Sequence, residues 1–527
     1  MFWLVATLAL ILLFYYYDRN RFMYWARKDV KQVTPPPIFG DNWHLMFKKM
    51  AFCDYIKKTY DSFDSVRYFG HYQFYQPLLV VKDPKLLKQI CVKDFEHFLD
   101  HRPFTTEEAD PLWNKNLFSL KGQKWKEMRS TLSPFFTGSK MRQMFVLMHE
   151  CARNFADYLA DKQEDMIEME LKDAFTRYSN DIIASTAFGV QCDSLRDGEN
   201  QFYINGKRAT DFSGFVKNLK FVLHAVLPKL SKLLKATFFD KEISDFFRGV
   251  VRDSLEYRES NKIDRPDLIN LLLQARRDPP EEEVKLEETN FAAVKEHMDI
   301  KSSRTRGKLD MSLDDITSQA LIFFFAGFET VSTVMCFVAY ELAVNHDVQL
   351  RLREELDEFR NSGRKFSYEG LAKLPYLDMV LSETLRKWPP TPATDRQCNK
   401  TYTIDPELDG EKPLRIDAGD IIMIPIWGLH RDPKHWDNPD RFDPERFSAE
   451  NRHKVDPYVY VPFGVGPRNC IGSRYAITEV KVVFFELLAR FEILPVGKSC
   501  IPFVADYKTF NLTSSNGFWF GLKKRDV

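Results

Sequence analysis

A mainly α protein with a smaller β-rich lobe, held to a membrane by an N-terminal anchor, is the fold class this sequence predicts, on three observations. Residues 2–17 form an uncharged apolar run; residues 113–277 and 312–346 place apolar side chains at three- and four-residue spacing; residues 40–110 and 391–467 carry shorter strand-like text, the latter rich in Pro, Asp and Gly turns. With 45 Phe and 44% hydrophobic residues, the 527-residue chain can bury a deep apolar interior. Lys+Arg and Asp+Glu balance at 75 each, so no global basic face points to nucleic acid. The eight cysteines are scattered, with no CxxC pair and no zinc-like Cys/His spacing, which argues against a disulfide framework. Buried reduced thiols account for most of them.

The first element is the anchor. The run FWLVATLALILLFYYY is close to the minimum length that spans a bilayer core. No small-residue cleavage site follows it, and Arg19, Arg21, Arg27, Lys28 and Lys31 lie directly downstream, which predicts a retained anchor with the body in the cytosol. Tyr15, Tyr16 and Tyr17 form an interfacial belt, and Pro35, Pro36 and Pro37 a stiff break. The expected organisation is therefore a transmembrane signal anchor over 1–18, a basic and Pro-rich hinge over 19–40, and one body over 41–527.

Next, residues 75–82 read as a strand, and 84–92 and 93–99 as short helices. The stretches 144–160 and 171–187 show helical spacing. Residues 212–239 mix Phe212, Phe215 and Phe221 with Lys217, Lys220, Lys229, Lys232 and Lys235, which suits either a membrane-surface helix or an ordinary surface helix pair. Residues 276–310 are charged and irregular, a solvated loop. One very long apolar helix comes next over 312–346, another ends near residues 388–390, and a last one runs over about 472–491.

The segment Phe463–Gly472, FGVGPRNCIG, carries the chemistry. A thiolate ligand needs backbone N–H donors, a positive helix end, and neighbours small enough for a flat macrocycle to approach. Gly464, Gly466 and Gly472 provide the small neighbours, Phe463 an aromatic wall, and Arg468 a fork for a carboxylate such as a haem propionate. This loop resembles the haem-binding signature of the cytochromes P450, Phe-x-x-Gly-x-Arg-x-Cys-x-Gly, at every fixed position. The resemblance implies haem b (iron protoporphyrin IX), with Cys470 as the axial ligand of its iron.

Further motifs occur in the family's order. Glu383 and Arg386 in SETLRKWPP, with Arg446 in DPERF, match the family's buried ionic triad and take a structural role. In the long helix Ala326-Gly327-Phe328-Glu329-Thr330 resembles the distal-face motif, where the family opens the helix for dioxygen and water. By that resemblance Thr330 would steady the dioxygen and Glu329 would help relay protons for O–O cleavage, although a kink with a back-bonded Thr also explains the residues alone. Ile322, Ala326 and Thr330 share one face at four-residue spacing. Trp125 and Arg129 in KWKEMR match the propionate-holding helix, and Arg396 a further propionate partner; His101 or Arg102 is a weaker candidate, balanced against a surface role. Lys121, Lys124, Lys126, Arg474 and Lys481 are candidates for docking an acidic electron donor, against plain solvation.

By family position the substrate pocket draws on residues 103–118, 212–227, 322–330, 391–394 and 509–513, with Ile322, Phe323, Thr391 and Ala393 among its lining. Tyr475-Ala476 departs from the pattern, since Phe or Leu often precedes that Ala. The stretch PPTPATDRQC, the FFFAGFET helix and the long charged loop resemble the insect microsomal forms of the family-nine type. This resemblance implies a monooxygenase of small lipophilic substrates, plant toxins and insecticides foremost, in the endoplasmic reticulum membrane. The alternatives are a hydroxylase of hormones or fatty acids, a reductase-independent peroxide-rearranging enzyme, or a non-catalytic haem-binding protein. No Walker loop or Rossmann fingerprint is present, so electrons would come from a partner: NADPH-cytochrome P450 reductase, with cytochrome b5 optional.

Overall fold

The computed structural model describes residues 2–103, 110–211, 220, 223, 237–277 and 311–526. It is 53% helical with a smaller sheet content, in keeping with the mainly α expectation. Residues 278–310 of the charged loop, nearly all of 212–236 and residues 104–109 lie outside the described residues.

The N-terminal helix Phe2–Arg21 is almost wholly exposed. Its 20 residues span about 30 Å at 1.5 Å per residue, a bilayer's hydrocarbon thickness. At its end the buried Asp18 accepts hydrogen bonds from the Ile38 backbone N–H (2.8 Å) and the Tyr75 hydroxyl (3.0 Å). Residues 22–40, expected as a hinge, are packed against the β lobe: Phe22 and Trp25 are buried, and the Gly70 N–H donates to the Lys31 carbonyl (2.8 Å). A Cβ on Gly70 would stand 2.4 Å from Trp25 Cγ, so the indole seats only because residue 70 has no side chain.

That lobe is a four-stranded sheet of β1 (Tyr68–Gln73), β2 (Gln76–Val81), β7 (Ile421–Ile424) and β4 (Thr394–Gln397), in that spatial order. β2 and β7 are parallel; the outer pairs are antiparallel. A second sheet joins β3 (Met166–Glu170), β9 (Trp519–Lys524) and β8 (Phe491–Pro495), and β5 (Tyr402–Ile404) pairs with β6 (Leu414–Ile416). β3 lies inside text read as helical. Its five residues are too short to show a period against the helices around them, and its hydrogen-bond partner comes from the chain's far end.

The helical body is built around Leu313–Val344, whose capping box joins Ser312 and Asp315. By length and composition this helix could cross a membrane, yet 61% of its most apolar window is buried inside the protein, the signature of a core helix. Leu171–Ile183, Gln201–Thr210, Lys241–Asn261, Pro375–Lys387 and Ser473–Arg490 pack around it.

Replacing Gly70 by Ala forces Trp25 off the sheet. The expected cost is about 1–3 kcal/mol of folding stability in denaturant titration, an overpacking penalty. It comes with faster proteolytic cleavage within residues 22–40.

Candidate functional site

The loop before the last long helix is closed by its own backbone. The Gly464 N–H donates to the Val461 carbonyl (3.0 Å), the Asn469 N–H to Gly466 (2.9 Å) and the Cys470 N–H to Phe463 (2.9 Å). Gly464 (φ 74°) and Gly466 (φ 75°) take left-handed conformations. A Cβ on Gly466 would lie 1.9 Å from the Cys91 carbonyl oxygen, so the close approach made there is to the turn Gln89–Lys93 rather than to a flat ligand. Gly472 is the N-cap of Ser473–Arg490, which puts Cys470 just ahead of a helix N-terminus. Of the eight cysteines, Cys470 alone is exposed. Desolvation by the surrounding protein atoms raises its pKa, while the Gly472 backbone N–H and the Arg129 guanidinium pull it down.

Three buried arginines meet beside the loop. Arg129 donates to the Asn469 carbonyl (3.0 Å) and amide oxygen (2.8 Å), bracing the residue before the cysteine. Arg468 lies over the Trp125 ring at 4.1 Å and spends its fork on the carbonyls of Leu99, Leu117, Phe118 and Leu120 and on Asp100 (3.3 Å). Its pKa is held well below the usual guanidinium range, by burial first and then by the charges of Arg396 and Arg129. Arg396 donates to the carbonyls of Asp395 (2.7 Å) and Val465 (3.1 Å), and its buried Nε has no partner; among the described residues no carboxylate pairs with it. Like charges crowded in low dielectric, with an orphaned N–H, fit an anionic group such as a pair of carboxylates.

Asp100 and Asp395 organise the other side. Asp100 also accepts from the Gly122 N–H (2.9 Å) and Asn399 (2.7 Å), tying the Trp125 helix, Gly122–Leu132, to the segment that follows β4. Asp395 accepts from His101 Nδ1 (3.3 Å) and the Arg102 N–H (2.9 Å), and its pKa is pulled down to about 2. His101 is buried and stacks on Phe118, with burial lowering its pKa.

Opposite stands the long helix. Leu321, Phe324 and Phe328 are buried, whereas Ile322, Phe323 and Thr330 are partly accessible and Ala326 is exposed, so one stripe is open in a buried helix. Phe323 stacks on Phe136, which lies against Gly472. The stripe and the cysteine loop are thus joined through two rings. The helix is continuous through the motif, and the Thr330 hydroxyl donates to the Ala326 carbonyl (2.5 Å), the back-bonded form. Gly327 has a packing reason: a Cβ there would stand 2.7 Å from Ile183 Cδ1. Glu329 pairs with Lys172 (3.0 Å). Thr391 is exposed, and Ala393 is half-buried against the core. Of the pocket residues proposed over 212–227, all but 220 and 223 lie outside the described residues.

Behind the loop, Arg386 grips Glu383 with two bonds (2.7 and 2.8 Å), and Arg446 reaches the same carboxylate at 3.4 Å. Sequence reasoning missed His430, which has no local cue because its partners lie 44 and 31 positions away. Its Nδ1–H donates to the Arg386 carbonyl (3.0 Å) and its Nε2 accepts the Val461 N–H (2.9 Å); burial pushes its pKa down to about 3, so it bridges as a neutral ring.

Among the docking candidates, Lys121 and Lys124 are exposed and Lys126 pairs with Glu96. Lys481 is corrected: it is buried and bound to Asp378 at 2.6 Å, because its face of the helix turns into the core. Tyr475 is accommodated by hydrogen bonding to the Thr186 hydroxyl (2.7 Å). One turn on, Glu479 is fully buried; Ser179 donates to Oε1 (2.8 Å), Oε2 has no partner, and burial pushes the carboxyl up to about 8.

The family model described as Cytochrome P450 matches residues 31–518. The chain is similar to cytochrome P450 9e2 of Blattella germanica, 40% identical over 99% of this chain and 98% of that one. It is similar to probable cytochrome P450 9f2 of Drosophila melanogaster, 42% identical over 98% and 97%. Cytochrome P450 6k1 of Blattella germanica is 36% identical over 98% and 95%.

Glu479 keeps its proton in the fold at pH values where the unfolded chain has lost it. Its contribution is therefore complete below about pH 4.5 and is lost as pH rises to about 8. Chemical unfolding across that window should show stability falling by up to about 1.4 kcal/mol per pH unit, and Glu479→Gln should flatten the slope.

Proposed function

The chain belongs to the cytochrome P450 family, and from that premise we propose that it is a microsomal monooxygenase of foreign lipophilic compounds, with Cys470 as its iron ligand. The accessible thiol at a helix N-terminus, beside crowded buried guanidiniums, carries this reading. The family binds haem, and haem, once bound, supplies the dioxygen chemistry. A metal cation deprotonates a coordinating thiol outright, which offsets the burial that raises the Cys470 pKa. Arg396, Arg129 and Trp125 would hold the carboxylates of the haem, with Arg468 adding positive charge from behind. The closed loop around Phe463 and Gly464 would keep the sulfur in place.

The chain's own residues then divide the remaining work. The stripe of Ile322, Phe323 and Ala326, with Thr391 and Ala393, orients an apolar substrate and excludes water. The Thr330 hydroxyl, which donates to the Ala326 carbonyl, would turn its O–H toward the dioxygen, and Glu329 would supply protons there. The net reaction is RH + O2 + 2 e− + 2 H+ → ROH + H2O. The family uses redox partners, and here we assign NADPH-cytochrome P450 reductase, with cytochrome b5 as an accessory donor, meeting the surface at Lys121 and Lys124. The exposed apolar helix Phe2–Arg21 suits a single pass of the endoplasmic reticulum membrane with the body in the cytosol. Similarity to the insect family-nine enzymes supports foreign compounds as substrates.

Reduced protein under carbon monoxide is expected to show the red-shifted Soret band of thiolate ligation, and Cys470→Ala to lose it; a variant that kept the band would refute the ligand. With reductase and NADPH, product analysis over plant phenolics, insecticides, hormones and fatty acids is expected to find turnover mainly among the first two classes. Turnover confined to a hormone or fatty acid would replace the foreign-compound reading.

A further inference from the structure

His101 is buried, and its hydrogen bonding is half complete. Nδ1 stands 3.3 Å from Asp395 Oδ1, while Nε2 meets no partner among the described residues. Asp395 also accepts the Arg102 N–H at Oδ2 (2.9 Å), and with its pKa pulled down to about 2 it is a carboxylate with no proton to give. Nδ1 therefore carries the hydrogen of this pair. The ring holds no second one: burial lowers its pKa, Asp395 raises it, and the charges of Arg396 and Arg468 lower it again, for a net fall. A neutral imidazole whose N–H is spent offers only a lone pair, here at Nε2. A haem carboxylate, itself rich in lone pairs, finds no donor there; the arginines are its donors.

The ring is also aimed. Ala393, at the entry to β4, and Asp395 are two residues apart, and in extended backbone side chains two apart share a side. His101 stacks on Phe118 with ring centroids 4.5 Å apart and 17° between the planes. Both supports of the imidazole thus belong to segments assigned above to the substrate pocket, one fixing its plane and the other its tautomer.

We propose that His101 is a specificity residue whose Nε2 accepts a hydrogen bond from a substrate hydroxyl, so that phenols are preferred over their ethers. The inference rests on the foreign-compound reading of the pocket and names a substrate class within it. A phenol brings the proton that the buried acceptor lacks; an ether of the same skeleton leaves the acceptor unpaired. Asp395 is the positioning residue, since it decides which nitrogen holds the hydrogen.

The probes are thymol and its methyl ether, titrated into the holoenzyme and followed by the shift of the Soret band. Wild type is expected to bind the phenol up to about tenfold tighter, the worth of one neutral hydrogen bond. His101→Phe, which keeps the stack on Phe118, should lose that preference by weakening thymol alone. Asp395→Asn should invert it. The Arg102 N–H still requires an oxygen, so the new amide turns its NH2 to Nδ1 and moves the ring hydrogen to Nε2, which then donates to the ether oxygen. Independently of binding, nitrogen NMR of the diamagnetic ferrous carbon monoxide complex, labelled with 15N at histidine, should show His101 protonated at Nδ1 in wild type and at Nε2 in Asp395→Asn. The His101 signals are assigned by their loss in His101→Phe. Equal binding of the two probes by wild type, an unchanged preference in His101→Phe, or a doubly protonated ring would overturn the proposal. Loss of the red-shifted carbon monoxide band in His101→Phe would overturn it too, by making His101 a holder of the haem. If the probes are distinguished in this way but no foreign compound is turned over, the foreign-compound reading falls and the acceptor stands. If foreign compounds are turned over without the preference, the acceptor alone falls.

Discussion

Glu383 and Arg386 bury a complete ion pair with no exposure of either side chain, and the surroundings of Cys470 hang from it. Removing two charges from water costs several kcal/mol per ion, so such a pair persists only when every remaining donor and acceptor is used. Here they are used for connection. The Asp443 N–H and Arg446 draw the segment after residue 440 onto Glu383, and the Arg386 guanidinium reaches the His430 carbonyl. The neutral His430 ring passes the connection to the Val461 N–H, and the Val461 carbonyl accepts from Gly464 at the mouth of the cysteine loop. Each step is a short, directional bond in low dielectric, so the sulfur's position is referred back to a rigid point in the core.

The site itself is electrostatically one-sided. Arg129, Arg396 and Arg468 are buried close enough for their charges to oppose one another; Asp100 meets Arg468 at 3.3 Å but also accepts from the Gly122 N–H, and Asp395 is held by His101 and the Arg102 N–H. An apolar interior does not hold such an excess for stability. It is the arrangement expected of a protein that folds around an anion, and the family's haem brings two carboxylates. Facing this, the long helix is apolar over residues 320–328 and turns polar over 329–333, where Lys172 from Leu171–Ile183 donates to the Ser332 and Thr333 hydroxyls. Buried positive charge thus stands beside the cysteine loop, and a carboxylate and hydroxyls interrupt the apolar run of the long helix.

Much of this was legible in the residues. The FGVGPRNCIG loop, the Glu383–Arg386 spacing and the Ala326–Thr330 stretch are local patterns, and a helix or tight turn converts local spacing directly into shared faces. The roles of individual groups were less legible. Gly466 and Gly327 looked like allowances for a ligand, yet they admit the Cys91 carbonyl and Ile183. Lys481 looked like surface charge and is buried on Asp378. His430, Lys172 and Glu479 carried no signal, because their partners lie on other elements.

The sequence by itself determined the class of chemistry, the order of the elements and which face of the long helix could be polar, since these depend on spacing along one element. Tertiary structure decided what each charged or small residue is for: that residues 22–40 dock on Gly70, that Arg468 turns its fork to carbonyls while Arg396 keeps a free Nε, and that Lys172 finds Glu329. The physical reason is that a buried charge or a missing Cβ takes its meaning from atoms within a few ångströms, and in this fold those atoms come from residues far away in the chain.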